Sequence, residues 1–78
     1  MAFVAEVVLK NDSMENVHLS VNELSYVEIH KDGAVSSFDT LNLEKLALEA
    51  AATYRFVGRD DVLLVSGSAL LAINFKKR

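Results

Sequence analysis

The 78-residue chain contains no cysteine and only three glycines. Without cysteine it cannot form a disulfide, and the commonest structural zinc sites are excluded as well. Gly33, Gly58 and Gly67 are predicted to lie in separate turns, so no glycine-rich loop is available to bind a phosphate or a dinucleotide. A domain this small is marginally stable alone, and oligomerisation is the stabilising device that remains.

Long apolar runs and a basic leader are also lacking. The stretch from Met1 to Glu6 has no basic residue and reaches a charge before an apolar segment could form, so we expect no signal peptide. The longest uncharged stretch, Val62 to Phe75, is shorter than the ~20 residues that a membrane-spanning helix needs. We therefore expect a cytoplasmic protein without a membrane partner.

Positive charge is not in excess either. The formal net charge is -3, so no global attraction to nucleic acid or to an anionic membrane is expected, although a local basic patch is still possible. The hydrophobic fraction of 51% indicates a folded chain that has more apolar surface than a small monomer easily buries.

The N-terminal third predicts strands. Phe3 to Lys10 alternates in the manner of a strand, with valines on both faces. Met14 to Leu24 is ambiguous, because its apolar residues fit either a strand or a short helix. The valines and the polar alternation favour a strand from Val17 to Val21.

Two hairpins are predicted further along the chain. Ser25 to Phe38 contains two β-rich runs around Lys31-Asp32-Gly33, and the Asp-Gly pair supplies the positive φ of a tight turn. Near the C-terminus, two apolar strands, Val62 to Val65 and Ala69 to Phe75, flank Ser66-Gly67-Ser68 and are most simply an antiparallel hairpin.

Between the two hairpins, the spacing predicts an amphipathic helix from Leu41 to about Arg55. Asp39 or Thr40 would cap its start, and Gly58 would end it. Its core stripe recurs at helical spacing and comprises Leu43, Leu46, Ala47, Ala50, Ala51 and Tyr54. A second apolar patch lies on another face and comprises Leu41, Leu48 and Ala52.

These elements predict one α+β domain over residues 1–78. We expect a small antiparallel sheet of four to six strands with one amphipathic helix packed on one face. If Met14 to Leu24 is instead a short helix, it could cover Leu41 and Leu48, and the second patch would belong to the core.

Residues with catalytic or metal-binding potential are few and scattered. His18 and His30 could act as general bases, but no recognisable nucleophile or oriented partner accompanies either histidine. The carboxylates show no EF-hand, HExxH or facial-triad spacing. We therefore expect no enzyme, with no catalytic residue, cofactor or metal site.

The second helix face points to a protein-interaction module. We expect Leu41, Leu48 and Ala52 to contact either a second copy of the chain, as a homodimer, or a larger protein that the chain binds or inhibits. The alternative is a nucleic-acid-binding accessory protein, with Tyr54 and Phe56 as stacking surfaces. Its possible contacts are the basic residues Arg55, Arg59, Lys76, Lys77 and Arg78.

Overall fold

The computed structural model describes residues 2–11 and 15–77, and strands dominate this part of the chain. There are seven strands in the described ranges, and residues 40–52 form a loop between the fourth and the fifth. In chain order they are β1 (Phe3–Leu9), β2 (Val17–Val21), β3 (Leu24–Lys31), β4 (Ala34–Asp39), β5 (Thr53–Gly58), β6 (Val62–Ser66) and β7 (Leu70–Lys77). Two short 3₁₀ turns, Leu43–Lys45 and Gly67–Ala69, complete the secondary structure.

The strands form two antiparallel sheets. One has three strands in the order β2-β1-β7, and the other has four strands in the order β4-β3-β5-β6. The chain passes from the first sheet to the second between β2 and β3, and it returns between β6 and β7. Side chains from the inner faces of both sheets build one core, which includes Val7, Val21, Val27, Tyr54, Phe56 and Leu70.

Several of the sequence-based strand predictions are confirmed. The first strand is β1, and the preferred strand from Val17 to Val21 is β2. The hairpin is formed by β3 and β4, with Asp32 at φ +51° and Gly33 at φ +79° in its turn. Met14, at the start of the ambiguous segment, lies outside the described residues.

The predicted helix from Leu41 to Arg55 is wrong, and the α+β fold class is wrong with it. Residues 43–45 form a single 3₁₀ turn, residues 46–52 are irregular, and Thr53 begins β5. Within the described ranges no α-helix is present, so the fold is nearly all β. The sheet count is also corrected, because the strands belong to two sheets and not to one.

Strand pairing explains why β5 replaces the end of the helix. Tyr54 and Phe56 alternate with Thr53, Arg55 and Val57, so the two aromatic rings point into the core and are fully buried. β5 is hydrogen-bonded to β3 on one side and to β6 on the other. A helix here would remove a central strand and leave β3 and β6 with unpaired backbone groups.

The last two strands exist, but they do not form a hairpin. β6 pairs with β5 in the four-stranded sheet, whereas β7 pairs with β1 in the three-stranded sheet. The 3₁₀ turn at Gly67–Ala69 carries the chain between the sheets, and the N–H of Lys10 donates to the carbonyl of Ala69 at 2.8 Å. Two adjacent apolar strands can therefore belong to different layers of the same core.

Among the described residues, no helix is long and apolar enough to cross a membrane.

Candidate functional site

The three residues predicted for the protein interface lie in very different surroundings. The side chain of Leu41 is 84% exposed and that of Leu48 is 48% exposed, whereas Ala52 is only 2% exposed. Ala52 belongs to the core, where its carbonyl accepts the N–H of Gly67 at 2.7 Å. Ala52 therefore offers no side-chain surface to a partner, while both leucines do.

Leu41 and Leu48 border two adjoining depressions on the surface. The first, of about 340 Å³, lies between Leu41 and Phe3. The second, of about 200 Å³, lies between Leu48 and Ile73. Leu43 and Phe75 line both depressions.

We call this surface the loop face. Its apolar residues are Phe3 of β1, Ile73 and Phe75 of β7, and four leucines of the loop between β4 and β5, Leu41, Leu43, Leu46 and Leu48. Thr40 and Glu44 add polar groups to the first depression. Helical periodicity missed the three residues from the strands, because it considered the loop in isolation. The alternation of Ile73 and Phe75 along β7 is the signal that could have indicated that they share a face.

The start of the loop is fixed by Asp39. Its Oδ1 accepts the backbone N–H of Leu41 at 3.0 Å and the side-chain amide of Asn42 at 2.8 Å. This is the Asx-turn geometry, in which an aspartate side chain bonds to the backbone two residues later. Asp39, one of the two residues expected to cap a helix, thus stabilises a turn that contains Leu41.

The end of the loop is attached to the core and to β3. The buried Tyr54 hydroxyl donates to the carbonyl of Ala47 and accepts the N–H of Glu49, both at 2.6 Å. The carboxylate of Glu49 also pairs with Lys31 Nζ at 2.9 Å, and this pairing raises the pKa of Lys31. These hydrogen bonds and this ion pair therefore hold the segment that carries Leu46 and Leu48.

The predicted nucleic-acid contacts are separated and largely paired with carboxylates. Arg55 pairs with Glu28 at 2.8 Å on the outer face of the four-stranded sheet. Arg59 pairs with Glu23 at 3.3 Å in a loop, and Lys76 pairs with Glu6 at 3.3 Å on the three-stranded sheet. Each pairing reduces the positive potential that a phosphate would meet.

The nucleic-acid hypothesis also involved the last two residues of the chain and two aromatic rings. Lys77 is exposed at the end of β7, while Arg78 lies outside the described residues. Tyr54 and Phe56 are fully buried, so neither ring is accessible for stacking on a base. Arg55, Arg59 and Lys76, which the structure describes, lie in three separate ion pairs.

The histidines lie on opposite sheets. His18 is exposed on β2, and His30 on β3 places its Nε2 3.5 Å from Glu28 Oε1. The same oxygen accepts a hydrogen bond from Arg55, which lowers the pKa of Glu28. The Glu28 carboxylate is thus engaged mainly by a permanent cation, and this weakens its suitability as the orienting partner of a catalytic histidine.

Metal ligands are similarly dispersed. Across residues 2–11 and 15–77, no group of three or more histidine, aspartate or glutamate side chains is arranged to hold a metal ion.

Comparisons with protein-family models, curated proteins and solved structures give no significant match to this chain. They name no partner, so the case for a function rests on the geometry above.

Proposed function

We propose that this chain is a small, non-enzymatic protein-interaction module that binds another protein through the loop face. The supporting observation is that Leu41 and Leu48 are exposed beside two partly apolar depressions that share Leu43 and Phe75. Burying a leucine side chain that is otherwise in water is worth about 1.5 to 3 kcal/mol. Two such side chains next to depressions with apolar walls therefore favour a partner that covers them.

Exposure alone would not distinguish Leu41 and Leu48 from other exposed leucines of the chain. Leu64 is 62% exposed, but it lies on a sheet strand across from Arg55 and lines neither depression of the loop face. The loop face differs because its leucines border concave surface lined by aromatic rings, and buried anchors in pockets dominate the energetics of interfaces. The hydrogen bond that Asp39 accepts and the one that Tyr54 donates also hold the loop, which reduces the entropy that binding would cost.

The partner is either a second copy of the chain or a larger protein, in an environment that we propose is the cytoplasm. Light scattering coupled to size-exclusion chromatography distinguishes these partners by mass. For a second copy, the wild-type chain elutes as a concentration-dependent dimer and Leu48→Glu as a monomer. For a larger protein, wild type is monomeric and captures a partner from native lysate that Leu41→Glu and Leu48→Glu fail to capture.

Leu64→Glu is the matched control, because it introduces the same charge at an exposed leucine that lines neither depression of the loop face. It is expected to behave as wild type in both measurements. If Leu64→Glu disrupts association as strongly as Leu48→Glu, or if neither loop variant changes any association, the loop face is not the contact surface.

Nucleic-acid binding is the rival function, supported by the exposed C-terminal lysines on a strand end. A gel shift that weakens steeply with salt and disappears after removal of residues 76–78 would favour it over the protein-interaction proposal. The ion pairs of Arg55, Arg59 and Lys76 predict no such shift at physiological salt.

A further inference from the structure

A separate depression lies on the other side of the loop, against the inner surface of β3 and β4. Its volume is about 520 Å³, which falls within the usual range for small-molecule sites. Ile29, Ala34, Ser36 and Phe38 form its floor, because alternate residues of the paired strands point to the same side. The floor is mainly apolar and carries one hydroxyl group.

The rim of this depression is charged. Lys31, Asp32, Lys45 and Glu49 all line it. Lys31 already pairs with Glu49 at 2.9 Å. Both rim carboxylates act on Lys31, Glu49 through its hydrogen bond and Asp32 through its charge. Lys45 forms no ion pair within the described residues, so it supplies a cation next to an apolar floor.

We propose that this depression, the turn cavity, binds a carboxylate that carries a short apolar chain. The chain would lie on Ile29 and Phe38, and the carboxylate would pair with Lys45 and compete with Glu49 for Lys31. Apolar surface with a few polar groups that fix orientation is the usual composition of a small-molecule site. The turn cavity shares none of its lining residues with the loop face, so this inference is independent of the proposed function.

Two sources could supply this chemistry, a free acid or the C-terminal residue of a peptide. Both would place one carboxylate at the rim and one apolar group on the floor. β4 is an edge strand, so a peptide could in addition pair with its free backbone groups.

The test is an NMR titration of the full ¹⁵N-labelled chain at constant ionic strength. The probes are hexanoate, hexanamide and the dipeptide N-acetyl-glycyl-leucine with a free carboxylate. Hexanoate is expected to shift the amide signals of Ser36 and Ala47 saturably, with a Kd of about 1 mM for so small a ligand. Hexanamide, which has the same chain without the charge, is expected to bind at least about three-fold more weakly.

Single substitutions identify the residues whose charge contributes to carboxylate binding. Lys45→Met is expected to weaken hexanoate binding about two- to five-fold, as for the loss of an exposed ion pair. Glu49→Gln is expected to strengthen binding, because it leaves Lys31 available while the backbone bonds of Glu49 remain. Lys10→Met is the control for net charge, since Lys10 is exposed and does not line the cavity, and it should match wild type.

The results of the titration distinguish a free acid from a peptide C-terminus. Other results would overturn the proposal. Saturable shifts with hexanoate alone indicate a free acid, and at least about ten-fold tighter binding of the dipeptide indicates a peptide terminus. Either result supports the turn cavity as a carboxylate site. No saturable shift with either probe, equal binding of hexanamide and hexanoate, or equal losses in Lys45→Met and Lys10→Met would overturn it.

Discussion

The hydroxyl of Tyr54 donates a hydrogen bond to the carbonyl oxygen of Ala47 at 2.6 Å. In an α-helix, that carbonyl would instead accept the N–H of Ala51. Ala47 and Tyr54 would then lie about 10 Å apart along the helix axis. The same hydroxyl accepts the N–H of Glu49. The buried Tyr54 side chain therefore provides hydrogen-bond partners for the Ala47 carbonyl and the Glu49 N–H. In a helix, both groups would bond to the helix backbone.

Tyr54→Phe is expected to destabilise the protein by about 1 to 2 kcal/mol. The substitution keeps the buried ring but removes both hydrogen bonds, so the partly buried Ala47 carbonyl and Glu49 N–H lose their partner. Urea unfolding gives the free energy, and hydrogen exchange should show faster exchange of the Glu49 amide. Tyr26→Phe, at a half-buried tyrosine on the outer sheet surface, is the control and leaves the Glu49 amide unchanged.

Gly67→Ala is expected to destabilise the protein by about 1 to 3 kcal/mol, the usual cost of overpacking. A Cβ at this position would collide with the carbonyl oxygen of Glu49 and lie 2.7 Å from that of Ala52. Because both contacts are backbone atoms, the loop must move. Thermal unfolding measures the loss, and amide shifts should spread over residues 47–52. Ser68→Ala, at an exposed neighbour, should change stability by less than about 0.5 kcal/mol.

The strands with local signals were predictable from the sequence. The Asp32-Gly33 turn and the alternation around it indicate a hairpin with little ambiguity, and β1 and β2 follow from the same period-two pattern. Each of these depends on residues close together in the chain.

The loop between β4 and β5 was not predictable in this way. Residues 41–52 are rich in leucine, alanine and glutamate, which favour helix, and their non-helical path is set by Tyr54, Gly67 and Lys31. These contacts come from separate parts of the fold. The sequence grouped Leu41, Leu48 and Ala52 in one patch, but Ala52 is buried and only the two leucines are exposed. The neighbours of these leucines on β1 and β7 had no signal within the loop.

Ala51→Gly tests the absence of a helix directly. Within a helix, this substitution costs about 1 kcal/mol, because glycine loses more backbone freedom than alanine. Ala51 is exposed in a turn, so the expected change in the free energy of unfolding is below about 0.5 kcal/mol. Urea unfolding measures the difference. A loss near 1 kcal/mol, together with a helical far-ultraviolet circular dichroism spectrum, would contradict the strand-and-loop structure.

Acid should weaken the fold in part through Glu28. The hydrogen bond from Arg55 holds the pKa of Glu28 below its ordinary value of 4.5, with His30 as a smaller contributor. The ionised carboxylate therefore contributes stability above the pKa of the unfolded chain. That contribution is lost as the pH falls below 4.5 and through the lower pKa of the folded state.

Glu28→Gln removes this titration while it keeps a side chain of similar size. The Tm of wild type should exceed that of Glu28→Gln at about pH 7, and the gap should narrow as the pH is lowered towards about 3. Calorimetry over this range measures both chains, and Glu44→Gln, at an exposed glutamate of the 3₁₀ turn, is the control. A gap that stays constant with pH would show that the stability of the fold is not linked to the Glu28–Arg55 pair.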